Sequence, residues 1–118
     1  PYQDEASGLW YQVVDKGGEP GNWLETSCSC LYAAGIYKAV RLGVLPQSAL
    51  TAADKALRGI ISRLEYDGDD LLINDISEGT WIGNYDFYCN RKRRTNDLHG
   101  VGAFLLMCAE TELLGALP

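Results

Sequence analysis

The side chains with chemical capacity cluster near two predicted helix starts. His99 is the only histidine and follows Asn96 and Asp97 at the opening of one of these helices. The positive end of a helix dipole disfavours an imidazolium, so a neutral, hydrogen-bonding ring is expected there. His99 reads either as the wall of a binding site or as a structural loop residue, and Asn96 and Asp97 beside it as helix caps or further wall. The second cluster is Trp23-Leu24-Glu25-Thr26-Ser27-Cys28-Ser29. An exposed Trp23 would stack on the C–H face of a pyranose, whereas a buried one would pack beneath the loop. Glu25 suits a helix start as a cap or as support for a site, and Ser27 and Ser29 can bond a sugar or the backbone one turn back.

An ordinary glycosidase needs two carboxylates facing each other across a cleft. Asp4, Glu5, Asp15, Asp67, Asp69, Asp70 and Asp75 supply carboxylates, but in turn contexts where Asp is common and where nothing buries it to raise its pKa. No catalytic residue is expected among them. The basic run Arg91-Lys92-Arg93-Arg94 reads as solvated surface or as an attractor for an anionic ligand. Gly100-Val101-Gly102 lacks the Lys and the spacing of a phosphate loop and suits close helix packing. Cys28, Cys30, Cys89 and Cys108 sit in apolar helical contexts and read as reduced, buried thiols rather than a disulfide scaffold. Cys28 and Cys30 on one helix project about 200° apart, so they cannot share a metal. Neither a metal nor a cofactor is expected.

The elements that must hold these groups are mostly helical. Leu24 to about Leu42 reads as a helix stopped by Gly43. Cys28, Leu31, Tyr32, Ala33, Ala34, Ile36, Ala39 and Val40 make it apolar around most of its girth, as in a helix covered on nearly every side. From about Gln47 to Glu65, Leu50, Ala53, Leu57, Ile60, Ile61 and Leu64 recur at three and four, the pattern of an amphipathic outer helix. The third helix begins near Leu98 with Asn96 or Asp97 as N-cap, and is again apolar all round from Val101 to Ala109. Gly8 to Asp15 favours an extended piece, Asp67-Gly68-Asp69-Asp70 a turn, and Leu71-Leu72-Ile73 followed by Ile76 a short strand. Ser77 to Asn96 reads as a long irregular stretch, and loops of about 15 residues or more are uncommon unless functional. The order of buried, surface and buried helix suits a two-layer ring of helices better than a three-helix bundle.

The composition sets bounds. With 118 residues, 47% hydrophobic, 13 Gly and 4 Pro, the chain suits a single globular unit and excludes collagen, disorder and a long coiled coil. A net charge of −6 disfavours a general nucleic-acid binder. No run approaches the roughly 18 apolar residues of a membrane span, and Pro1-Tyr2-Gln3-Asp4-Glu5 lacks the basic and apolar stretches of a targeting signal. The expectation is a cytoplasmic protein with no membrane partner. Because the chain opens on Pro1 rather than Met, residue 1 reads as other than the natural start.

Four blocks in order carry a resemblance: Gly8-Leu9-Trp10-Tyr11-Gln12-Val13-Val14-Asp15, Asn22-Trp23-Leu24-Glu25-Thr26-Ser27-Cys28-Ser29, Lys38-Ala39-Val40-Arg41-Leu42-Gly43, and Asn96-Asp97-Leu98-His99-Gly100-Val101-Gly102-Ala103-Phe104-Leu105-Leu106. Together they resemble the C-terminal part of glycoside hydrolase family 105, the unsaturated rhamnogalacturonyl hydrolases. The resemblance implies an all-α fold, with residues 1–118 as the C-terminal third of an (α/α)6 barrel of the six-hairpin glycosidase type, plus short β-hairpin or extended pieces. It implies an oligosaccharide ending in a 4,5-unsaturated uronic acid as substrate, hydrated at its vinyl ether without a cofactor. The catalytic Asp of that family lies upstream of the Gly-Leu-Trp-Tyr block, so no catalytic residue is expected here. Trp23, Glu25, Asp97 and His99 are the expected substrate-binding residues.

Two other readings stand beside it. One is a non-catalytic carbohydrate-binding or interaction module on the same fold, using Trp23, Trp81, Tyr85 and His99. The other is a thiol-based redox or metal protein. Two nearly all-apolar helices in so short a chain also predict that these residues need the rest of a barrel, or self-association, to cover them.

Overall fold

A computed structural model describes residues 1–115 of the chain. The short strands β1 (Trp10–Tyr11) and β2 (Leu24–Glu25) pair antiparallel, with Trp10 opposite Glu25 and Tyr11 opposite Leu24. The chain passes directly from β2 into helix α1 (Thr26–Arg41), which starts two residues later than predicted because Leu24 and Glu25 are held in the strand. After α1, Gly43 takes a left-handed conformation at φ 74°, where a side chain would be strained and glycine is not.

A single 3-10 turn at Gln47–Ala49 leads into α2 (Leu50–Ile61). This helix stops short of the predicted Glu65, because Glu65–Asp67 forms β3 against β4 (Asp70–Leu72). The two-residue loop Gly68-Asp69 joins them, with Gly68 at φ 61°, as a tight hairpin requires. β5 (Ile76–Ser77) pairs with β6 (Arg93–Arg94), Ile76 opposite Arg94 and Ser77 opposite Arg93. Between them, within the stretch expected to be irregular, lies the short helix α3 (Tyr85–Cys89). Asn84 caps it by accepting a bond from the Phe87 amide at 2.9 Å. The last helix, α4 (Leu98–Leu114), begins where predicted.

Helix α1 packs along both α4 and α2, so it is central among the three long helices. Its buried Cys30, Ala33, Ala34 and Tyr37 meet Ala53, Ala56, Leu57 and Ile60 of α2, Ala103 and Met107 of α4, and Leu9 ahead of β1 in one cluster. Small residues on α1 allow close approach, and each large apolar side chain buried there stabilises by roughly 1.5–3 kcal/mol. Two polar pairs are built into the edge of this core. The Tyr37 hydroxyl donates to Asp54 at 2.8 Å, and Arg41 donates two bonds to Glu110 at 2.8 and 3.0 Å.

The helices predicted to be covered on nearly every side are covered on part of their girth only. Leu31 and Tyr32 of α1 and Leu105, Leu106 and Leu113 of α4 are exposed. Three helices supply too few neighbours to wrap two of them. Among the described residues the fold is thus helix-rich with three two-stranded antiparallel pairs, rather than purely helical. No helix among the described residues is long and apolar enough to cross a membrane. All four cysteines are free thiols; Cys30 is buried, while Cys28, Cys89 and Cys108 are half-buried.

Candidate functional site

The starts of α1 and α4 lie at the same end of the helix layer, and β5 crosses beside them. An open cavity of about 330 Å³ sits there, lined by Gln12, Glu25, Ser27, Cys28, Ser77, Glu78, Gly79, Thr80 and His99. Its size falls in the range of small-molecule sites.

Glu25 is its structural centre. As the last residue of β2 and the N-cap of α1, it is 2% exposed, and its carboxylate is fully partnered. Oε2 accepts the Cys28 amide at 2.6 Å, and Oε1 accepts the Ser27 hydroxyl at 2.6 Å and the Ser77 amide at 2.9 Å. A buried carboxylate is tolerable only with such donors around it. The same bonds pin β5 to the start of α1. Ser29, the other candidate hydroxyl, bonds internally: it donates to the Glu25 carbonyl at 2.7 Å and accepts the Trp10 amide at 2.9 Å. Burial, and then the neighbouring Glu25 charge, push the Cys28 thiol far up. The Cys30 thiol is pushed up to about 12, again by burial first. Both stay protonated at neutral pH and are poor nucleophiles.

His99 stands at the opening of α4 with its ring half exposed on the cavity. Its Nδ1 lies 2.7 Å from Asp97 Oδ1. A carboxylate oxygen only accepts, so Nδ1 carries the proton of this bond, and Nε2 is the ring nitrogen that the bond leaves over. Asp97 holds the N-cap position but makes no side-chain capping bond. Its carboxylate orients His99 and faces Arg94 at 3.9 Å. Asn96 is neither cap nor wall: at φ 55° it accepts the Ile73 amide at 2.8 Å and donates to the Leu71 carbonyl at 2.9 Å, fastening the end of β4.

Trp23 is buried, 4% exposed, which corrects the picture of a sugar-stacking ring at this entrance. Its indole N–H donates to the Cys89 carbonyl at 3.2 Å. Arg93 lies over one face of its ring at 4.7 Å, and at 4% exposure the rest of the ring is covered as well. The basic run is likewise engaged rather than freely solvated. Arg93 faces Asp75 at 3.7 Å, Arg94 pairs with Glu78 at 3.1 Å, and Arg91 lies 3.3 Å from Glu78. The Lys92 amide, followed by Arg94 and Arg91, holds the Glu78 carboxyl below the usual glutamate range.

The structure thus brings Glu25 and His99 to one cavity, sets Asp97 behind His99, and places Trp23 in the packed layer below. Ser77, Glu78 and Gln12 were not singled out from the sequence. Gln12 donates to the Ser77 hydroxyl at 2.9 Å, closing the wall between β1 and β5. No local signal marks these residues, because they reach the cavity beside Glu25 from separate parts of the chain.

The family model of Glycosyl Hydrolase Family 88 matches residues 1–114. Protein Atu3128 of Agrobacterium fabrum is 34% identical over 92% of this chain and 53% of its own length. A family 105 glycoside hydrolase from C. acetobutylicum superposes with a TM-score of 0.87 at 35% identity, covering 95% of this chain and 34% of that one. A possible family 105 member from Salmonella enterica serovar Paratyphi A gives 0.80 at 30% identity, covering 98% and 29%. The chain spans about half the length of the first relative and about a third of each solved structure. With a family model matched along nearly its whole length and a fold that superposes on about a third of a family 105 glycoside hydrolase, the chain belongs to Glycosyl Hydrolase Family 88.

Proposed function

We propose that the protein carrying this chain is a glycoside hydrolase that removes a 4,5-unsaturated uronic acid from the non-reducing end of rhamnogalacturonan or other pectin-type oligosaccharides. In this reading the chain is the C-terminal third of an (α/α)6 barrel, with α1 and α4 as inner helices and α2 as an outer one. The exposed apolar faces of α1 and α4 then meet the remaining hairpins. The reaction adds water across the C4–C5 double bond: C4 takes the proton, C5 takes the hydroxyl, and the resulting hemiketal collapses with loss of the aglycone. The acid that protonates C4 is an Asp outside this chain, and no metal or organic cofactor takes part.

The residues here form one wall. His99, held by Asp97 through Nδ1, uses Nε2 to accept a sugar hydroxyl. Ser27 and Ser77 offer hydroxyl oxygens beside it, Glu25 keeps both in place, and Trp23 is packing beneath. The observation that carries the reading is the convergence of Glu25, Ser27, Ser77 and His99 on one cavity, at the end where α1 and α4 both begin. The test is absorbance at the unsaturated-uronate band with lyase-digested rhamnogalacturonan. The full gene product is expected to abolish the band, and residues 1–118 alone to leave it. Binding of the oligosaccharide by the full product without loss of absorbance would instead mark a carbohydrate-binding module.

A further inference from the structure

The wall of the cavity continues into an aromatic residue that the site as described leaves unused. Gly79 and Thr80 line the cavity, and Trp81 is the next residue. With no cis peptide among the described residues, its Cα lies about 3.8 Å from that of Thr80. Trp81 is 69% exposed and takes no part in the hydrophobic core.

This exposed ring is nevertheless held in place. Arg91 Cζ lies 5.1 Å from the Trp81 ring centroid and 5.0 Å from that of Phe87, and the two rings tilt together at 5.4 Å. Arg91 is itself anchored, donating to the Gly79 carbonyl and facing Glu78 at 3.3 Å. Beyond Trp81, the Gly83 amide donates to the Tyr88 hydroxyl at 3.1 Å, and a Cβ on Gly83 would run into the Phe87 ring. The loop is therefore held at Gly79 by Arg91 and at Gly83 by Tyr88 of α3, which presents a preoriented indole to solvent next in the chain to the cavity wall.

We infer that Trp81 is the platform for the sugar next to the unsaturated uronate, the pyranose that leaves as the aglycone. The inference rests on the proposed reaction. The negative face of an indole favours the C–H bonds of a neutral pyranose and disfavours a carboxylate, so the uronate belongs in the polar cavity and the neutral residue on the ring. A ring already fixed by Arg91 and Phe87 loses little freedom on binding, which leaves more of the contact as affinity.

The test uses the full gene product and two substrates: an unsaturated disaccharide with a neutral pyranose aglycone, and the methyl glycoside of the same uronate. Trp81→Ala is expected to lower the preference for the disaccharide over the methyl glycoside, in kcat/KM, by about five- to tenfold. The loss should fall on the disaccharide KM, with kcat nearly held. Trp81→Phe, which keeps an aromatic face, should restore most of the preference. An unchanged preference in Trp81→Ala overturns the platform, as does an equal loss on both substrates, which would mark mere support of the loop. A wild-type protein inert on both substrates overturns the proposed reaction and the platform with it, so the two failures are told apart.

Discussion

Helix α1 is buried at its start and in its middle, but by different groups. Around Ala33, Ala34 and Tyr37 it meets apolar side chains of α2 and α4. Around Glu25, Ser27 and Ser29 it meets hydrogen-bond partners from β1, β5 and its own first turn. Apolar burial is non-directional and scales with area, so many side chains of similar volume serve. A buried polar cluster depends on which atom donates and which accepts, and one wrong group leaves an orphan. The site end of the helix should therefore be the more sensitive to small chemical changes, and the middle to changes of volume.

The sharpest way to break this contrast is to change volume in the core. Met107, fully buried, should lose about 2–5 kcal/mol on Met107→Ala and less than about 1.5 kcal/mol on Met107→Leu, as read from urea unfolding of the full gene product. Equal losses for both variants would mean that the core is as specific as the polar end.

At the site end, Glu25→Gln preserves volume but replaces one accepting oxygen with a donating NH2. That group must face a donor, either the Cys28 or Ser77 amide or the Ser27 hydroxyl. The expected cost is about 1–3 kcal/mol, because a buried donor is left without an acceptor. A neutral result in the same unfolding measurement would remove the distinction between the two regions.

The smallest effect is electrostatic and lies at the rim. Glu78 has its folded pKa depressed, first by the Lys92 amide and then by the arginines. Stability from such a group is present above the ordinary glutamate pKa and is lost as pH falls through the lower folded value. The melting point of wild type should thus exceed that of Glu78→Gln near neutral pH, and the gap should close below about pH 4. A gap that persists in acid would assign Glu78 a role other than its charge.

Much of the helical frame was legible from local pattern. The three-and-four recurrence of Ala53, Leu57 and Ile60 marks α2, and Asn96 or Asp97 ahead of Leu98 marks a start near Leu98, where α4 begins. The strand ending at Glu25 was hidden because two residues carry too little periodicity, and its partner Trp10 is fifteen positions away. Within Ser77 to Asn96, Asn84 stands three residues before Phe87 as a cap does, yet the helix it opens, Tyr85–Cys89, is too short to show a helical period. The site was half visible. Glu25, Asp97 and His99 stood out by residue type and place, whereas the burial of Trp23 depends on Arg93 and Cys89, some seventy residues on.

The sequence by itself determined the helix order, the apolar surplus on α1 and α4, the candidate polar residues at two helix starts and, through its ordered blocks, the family. These properties are local or additive along the chain. Only the tertiary structure decided that Glu25 and Ser77 share a bond, that Trp23 is packing while Trp81 stands exposed, and that Asp97 orients His99 rather than capping its helix. Such outcomes depend on which distant groups arrive first at a donor, an acceptor or a ring face, and no local propensity encodes that competition.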